Sequence, residues 1–153
     1  MHPTNLPLVL SSLTFALPYF AAIDTGNTIT AVCWGALTCT STLVHLTKQP
    51  FHIHGPGNCI PWLYTLDVAV LYVAVVRALI DGWCGGWVGF LMSTSIISYA
   101  GVMFYTGRQR FVYDTHLDMS ILSHFSVHLL SSMGGTGVIY LRAFKNGQEL
   151  SCV

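Results

Sequence analysis

The sequence has few charged residues. Lysine, arginine, aspartate and glutamate make up 8% of its 153 positions, with six basic and six acidic side chains. A soluble globular domain carries about 25% charged residues, so this class is excluded. Because the basic and acidic side chains are equal in number, the sequence does not predict a basic surface for binding nucleic acid. Apolar residues make up 53% of the chain, which is typical of a polytopic membrane protein.

Paired cysteine motifs are also missing. The five cysteines form no CxxC pair and no zinc-finger spacing, which excludes these two kinds of site. Two of them lie within an apolar stretch, where cysteine packs as a small hydrophobic side chain. We therefore expect no disulfide framework; the cysteines are Cys33, Cys39, Cys59, Cys84 and Cys152.

Long apolar segments organise the chain into one transmembrane domain over residues 1–153. Each approaches or exceeds the roughly 20 residues that cross a bilayer core, and only helices satisfy the backbone of such segments in lipid. The sequence thus predicts an all-α, multi-pass bundle, with a possible kink at Pro18 in the first segment. Basic residues divide evenly between the two faces, so orientation and compartment stay open. The five predicted helices cover residues 6–23, 27–46, 60–80, 83–106 and 117–144.

Five polar residues lie inside these segments, where they are costly and usually functional. Ser41 and His45 are one turn apart at the end of the second segment, and His124 and His128 have the same spacing in the fifth. Asp67 lies about 10 Å into the third segment, and the two later histidines lie about 10 and 16 Å into theirs. Because alternate segments start from the same face, all five residues are predicted at one end of the bundle.

Three converging imidazoles indicate a zinc site with an open coordination position, with His45, His124 and His128 as ligands. Asp67 would act as the general base on the metal-activated water. Ser41 would donate a hydrogen bond to a developing oxyanion or orient a histidine. The predicted chemistry is hydrolysis of an amide or ester whose acyl chain arrives from the bilayer.

These motifs resemble those of the CREST superfamily of membrane hydrolases, which includes alkaline ceramidases, adiponectin and progestin receptors, GPI-acting lipases and myomaker. The matching positions are the SxxxH of Ser41 and His45, then Asp67, then the HxxxH of His124 and His128. The resemblance implies a seven-helix zinc amidase or lipase with a membrane lipid as substrate. Five predicted helices make this chain a shortened member, and losing two helices between the Asp and HxxxH helices preserves the topology of the site.

Other interpretations stay open at this stage. The chain could be a non-enzymatic CREST-type receptor or membrane-remodelling factor, or a haem protein with His45 and one HxxxH histidine as axial ligands. Asp67 could be a structural hydrogen-bond partner for Tyr64, or for a serine or threonine on a neighbouring helix. Arg77 and Arg142 are expected to extend to the membrane interface. His52 and His54 are assigned to a solvated loop or pocket lid, with a ligand role as the alternative, and His116, just before the fifth helix, is an alternative ligand. The oligomeric state is open.

Overall fold

The computed structural model describes residues 6–47, 60–106 and 117–148, and these residues form helices without any strand. The all-α prediction is confirmed. His52, His54 and His116 lie outside the described residues. The six helices are α1 (Leu6–Leu13), α2 (Ala16–Asp24), α3 (Thr28–Thr47), α4 (Pro61–Cys84), α5 (Gly86–Thr106) and α6 (Leu117–Gln148).

The first predicted segment is interrupted between α1 and α2, at Thr14 and Phe15. Pro18 has no N–H to donate to the carbonyl of Thr14 four residues earlier, so a regular helix cannot continue through this turn. The carbonyl of Thr14 instead accepts from Leu17 N–H at 2.9 Å. The interruption therefore lies about one turn before the proline at which a kink was expected.

The connection between α4 and α5 is a tight turn at Gly85 and Gly86. Gly86 has a φ of +78°, a left-handed conformation that glycine adopts without a steric penalty. The predicted third segment ended at residue 80, whereas α4 continues to Cys84. The extra turn places Asp81 inside the helix, where its side chain faces the bundle interior with 1% exposure.

Four helices in the described part of the chain are long and apolar enough to cross a membrane: Leu6–Asp24, counted through its interruption, Thr28–Thr47, Pro61–Cys84 and Gly86–Thr106. The fifth predicted span, α6, is not among the four, although its 32 residues would extend about 48 Å. It packs against α1, α2, α4 and α5, while side chains such as Leu122, Met133 and Phe144 on the same helix are exposed. His128, Ser132 and Gly135 of α6 are buried against these neighbouring helices.

Small side chains allow α6 to approach its neighbours closely. Gly135 packs beneath the ring of Trp34, where an added Cβ would lie 2.7 Å from the ring. Trp34 itself is buried in an apolar cluster with Phe15, Ala22 and Ile139, which connects α2, α3 and α6. This packing fixes the rotation of α6 about its axis, and with it the direction of its polar residues.

Candidate metal centre

Three histidines from two helices converge at one end of the bundle. His45 is in the last turn of α3, and His124 and His128 lie one turn apart near the start of α6. Their ring centroids are 5.0 Å apart for His45 and His124, 5.3 Å for His45 and His128, and 4.5 Å for His124 and His128. One nitrogen from each ring lies within 4.8 Å of the other two. We call this group the three-histidine centre.

Apolar rings surround the centre. Phe15 contacts the ring of His128 at a centroid distance of 4.9 Å, and Phe104 contacts His124 at 6.3 Å. His45 and His128 are buried, and His124 is half-buried. The site is therefore largely screened from the surroundings of the bundle, with partial access on the side of His124.

A pair of adjacent serines in α1 contacts Nδ1 of His128. The Oγ of Ser11 lies 2.9 Å from His128 Nδ1, and the Oγ of Ser12 lies 3.4 Å from the same nitrogen. Ser12 Oγ also lies 3.2 Å from Ser41 Oγ. Ser41 is thus joined to the centre through Ser12, which the sequence motifs did not indicate.

Asp67 lies on α4, and its Oδ1 accepts a hydrogen bond from Thr40 Oγ1 at 2.7 Å. Thr40 is adjacent to Ser41 in α3, so this carboxylate is tied to the helix that carries His45. The structural partner that was considered for Asp67, a hydroxyl on a neighbouring helix, is therefore present. Within the described residues, the group of mutually close ligand atoms consists of the three histidines and does not include Asp67.

The donor set fits a zinc ion. Zinc is commonly bound by three histidines in sites that keep a fourth position open, with Zn–N distances of about 2.0–2.1 Å. Ligand nitrogens around such an ion are about 3.3 Å apart. The ring nitrogens of the centre lie up to 4.8 Å apart, so they would have to move closer together to bind such an ion. The cluster can hold a metal ion, with His45, His124 and His128 as its ligands.

A second polar cluster, which we call the Asp81 cluster, lies at the opposite end of the bundle. Asp81 accepts hydrogen bonds from Thr30 Oγ1 at 2.6 Å and from Asn27 Nδ2 at 3.3 Å. It also forms ion pairs with Arg77, at 2.9 Å, and with Arg142. The expectation that these two arginines extend to the interface is wrong, because both turn inward to the buried carboxylate. Sequence reasoning missed Asp81 because the predicted helix ended one residue before it.

No protein-family model, curated protein or solved structure matches this chain. The resemblance to the CREST superfamily stays a prediction that depends on the three motifs.

Proposed function

We propose that the three-histidine centre binds zinc and that the protein hydrolyses an amide or ester bond of a membrane lipid. The observation that carries this proposal is that one nitrogen from each of three imidazoles lies within 4.8 Å of the other two, in a bundle of mostly apolar helices. Three mutually contacting imidazoles, two of them buried, are costly in such a bundle unless they bind a common ion. A single divalent cation is the ligand that fits this donor set.

The depth of the centre supports a lipid substrate. His45 lies in the last turn of α3, so the centre lies near one end of a membrane-spanning helix. The hydrocarbon core of a bilayer is about 30 Å thick, and each lipid's ester or amide linkage lies where its acyl chains meet the polar headgroup. A lipid could therefore bring this linkage to the centre while its chains remain among the apolar helices.

The remaining residues have roles that suit hydrolysis. When bound, zinc supplies a Lewis acid and lowers the pKa of a coordinated water to about 7. We assign Asp67 as the proton acceptor, with Thr40 orienting its carboxylate at 2.7 Å. Ser41 Oγ lies 3.2 Å from Ser12 Oγ, and rotation of its side chain would direct its hydroxyl hydrogen to a developing oxyanion.

The ring geometry favours a small ion over haem. Axial imidazoles of a bis-histidine haem approach the iron from opposite faces of a flat macrocycle. Here the rings of His45 and His124 contact edge to face at 5.0 Å, and His45 is 5.3 Å from His128. Such direct contact leaves no space for a macrocycle between the rings.

A receptor or membrane-remodelling function is the second candidate. The hydrogen bond from Thr40 to Asp67 favours it, because a carboxylate held by a neighbouring helix can be purely structural. Such a protein would retain bound zinc without releasing fatty acid from any lipid. Zinc content and lipid hydrolysis therefore need separate measurements.

The first experiment measures zinc. The full chain, purified in detergent and exposed to zinc before desalting, is expected to retain about one zinc ion per chain, because three ligands converge on one position. His128→Ala is expected to lose the ion. Leu122→Ala is the matched control, since Leu122 lies on the same helix with 58% exposure. Absence of zinc from the folded wild-type protein would refute the metal site.

The second experiment measures hydrolysis. Wild-type protein in lipid nanodiscs is incubated with an N-acyl sphingosine or a phosphatidylcholine, and released fatty acid is quantified by mass spectrometry. Asp67→Asn is expected to retain zinc and to lose about 10²–10⁴-fold in rate, the usual contribution of a general base. Thr65→Ala, an exposed change on the same helix, is expected to have the wild-type rate. Zinc binding with no release from either lipid would favour the non-enzymatic function.

A further inference from the structure

Two adjacent serines in α1 share one backbone acceptor. Ser11 and Ser12 are both fully buried, with 0% exposure. The hydroxyl of Ser11 donates to the carbonyl oxygen of Leu8 at 2.9 Å, and that of Ser12 donates to the same oxygen at 2.8 Å. A carbonyl oxygen is only an acceptor, so each hydroxyl hydrogen is used in this contact.

These contacts determine which nitrogen of His128 carries its hydrogen. A serine hydroxyl has a single hydrogen, so Ser11 must accept in its 2.9 Å contact with His128 Nδ1. Nδ1 is therefore the donor. The opposite arrangement would place a lone pair of Ser11 against the carbonyl oxygen of Leu8 at 2.9 Å, without a hydrogen between them. Ser12, 3.4 Å from Nδ1, presents a second acceptor to the same hydrogen.

A neutral imidazole has one donor and one acceptor nitrogen, so His128 keeps its lone pair on Nε2. With Nδ1 held by α1, Nε2 is the nitrogen that remains for the group formed with His45 and His124. Histidines that bind metals commonly donate their other N–H to a second partner, which fixes both tautomer and ring orientation. The serine pair meets this requirement from a helix that carries no histidine of the centre.

We infer that Ser11 is a positioning residue: it holds His128 as the Nδ1–H tautomer and so directs the Nε2 lone pair toward the metal. The tautomer follows from the hydrogen bonds alone, whereas its use in binding metal rests on the proposed function. The helix α1 thereby becomes part of the centre without supplying a ligand. Ser12, which also contacts His128 Nδ1, connects Ser41 to the same group through a 3.2 Å contact between the two hydroxyl oxygens.

The tautomer is tested without metal. Protein labelled with ¹⁵N-histidine, in detergent with a chelator, is measured by long-range ¹H–¹⁵N NMR, with His128→Asn used to assign the signal. The wild-type spectrum is expected to show His128 with its hydrogen on Nδ1. A hydrogen on Nε2 in the wild-type protein would overturn the inference, and this measurement does not depend on any variant of Ser11 folding.

The effect on binding is tested with zinc itself, by competition with a chromophoric chelator. Ser11→Ala is expected to weaken zinc binding about 10–100-fold, the usual cost of losing such a partner. Ser11→Thr, which keeps the hydroxyl, is expected to restore most of the affinity. Ser93→Ala is the matched control, because Ser93 is also a buried serine that donates to a backbone carbonyl, that of Ala78.

The outcomes separate this inference from the proposed function. If the wild-type protein binds no zinc but shows the Nδ1–H tautomer, the metal site fails and the assignment of the hydrogen stands. If the wild-type protein binds zinc and Ser11→Ala binds it equally well, the positioning role is wrong and the metal site stands. A change of tautomer in Ser11→Ala together with weaker zinc binding, both reversed in Ser11→Thr, supports the inference.

Discussion

Replacing Asp81 with asparagine should destabilise the bundle strongly. The carboxylate is 1% exposed and bonds to three helices. It accepts from Thr30 and Asn27 on or just before α3, pairs with Arg77 on α4 and pairs with Arg142 on α6. The two arginine side chains are themselves only 14% and 13% exposed. One negative charge therefore stabilises two largely buried positive charges.

The expected loss follows from this arrangement. Removing one partner of a buried ion pair costs about 3–5 kcal/mol, because the remaining charge is left in an apolar environment. Asparagine has nearly the same shape as Asp81, so the loss reflects charge and not volume. Its amide also introduces a donor that faces the guanidinium donors of Arg77 and Arg142. We expect Asp81→Asn to lower the free energy of unfolding by about 3–5 kcal/mol.

The assay is reversible unfolding by SDS in mixed micelles, followed by tryptophan fluorescence. Asp24→Asn is the matched control: Asp24 is exposed and accepts only a 3.2 Å hydrogen bond from Tyr140 among the bonds observed, so its loss should stay below about 1 kcal/mol. Arg142→Gln should fall between the two, because Asp81 retains Arg77. If Asp81→Asn lowers the free energy of unfolding by less than about 1 kcal/mol, the reasoning is refuted, because breaking a buried ion pair should cost more than this.

Three further results are expected. Gly135→Ala should lower the free energy of unfolding by about 1–3 kcal/mol in the same assay, because the new Cβ would clash with the ring of Trp34. Gly101→Ala, where an added Cβ meets open space, should not destabilise the protein. Equal effects of the two substitutions would contradict the packing. Thr40→Val removes the donor to Asp67 and should cost about 1–3 kcal/mol, and a neutral result would show that the carboxylate does not depend on it. Zinc at a hundredfold excess over its Kd should raise stability by about 2.7 kcal/mol, reversed by a chelator and not reproduced by magnesium; no response to zinc would count against the metal site.

Much of the architecture was predictable because it depends on local properties. Apolar runs of about 20 residues determine helices in a membrane environment, and alternation of direction places the end of α3 and the start of α6 at the same face. The i and i+4 spacing places His124 and His128 on one side of α6. These rules need no knowledge of neighbouring helices. They predicted the all-α bundle and grouped the three histidines correctly.

The packing of α6 against four other helices was not predictable in this way. Its polar residues reduce its apolar character below that of the other spans, yet it is the helix with the most neighbours. The composition of a helix indicates how favourable its exposure to lipid would be. It does not indicate how many other helices pack against it. A polar helix in the middle of a bundle and a polar helix outside the membrane have similar compositions.

The sequence by itself therefore determined the all-α class and the end of the bundle at which His45, His124 and His128 meet, although it did not show that the first predicted helix divides into α1 and α2. Only the tertiary structure decided that Ser11 contacts His128, which lies 117 residues away, and that Asp81 binds two arginines from different helices. The reason is that helix formation depends on neighbours within one turn. Rotation of each helix about its axis is set by packing against distant segments, and this rotation determines which polar groups share a partner.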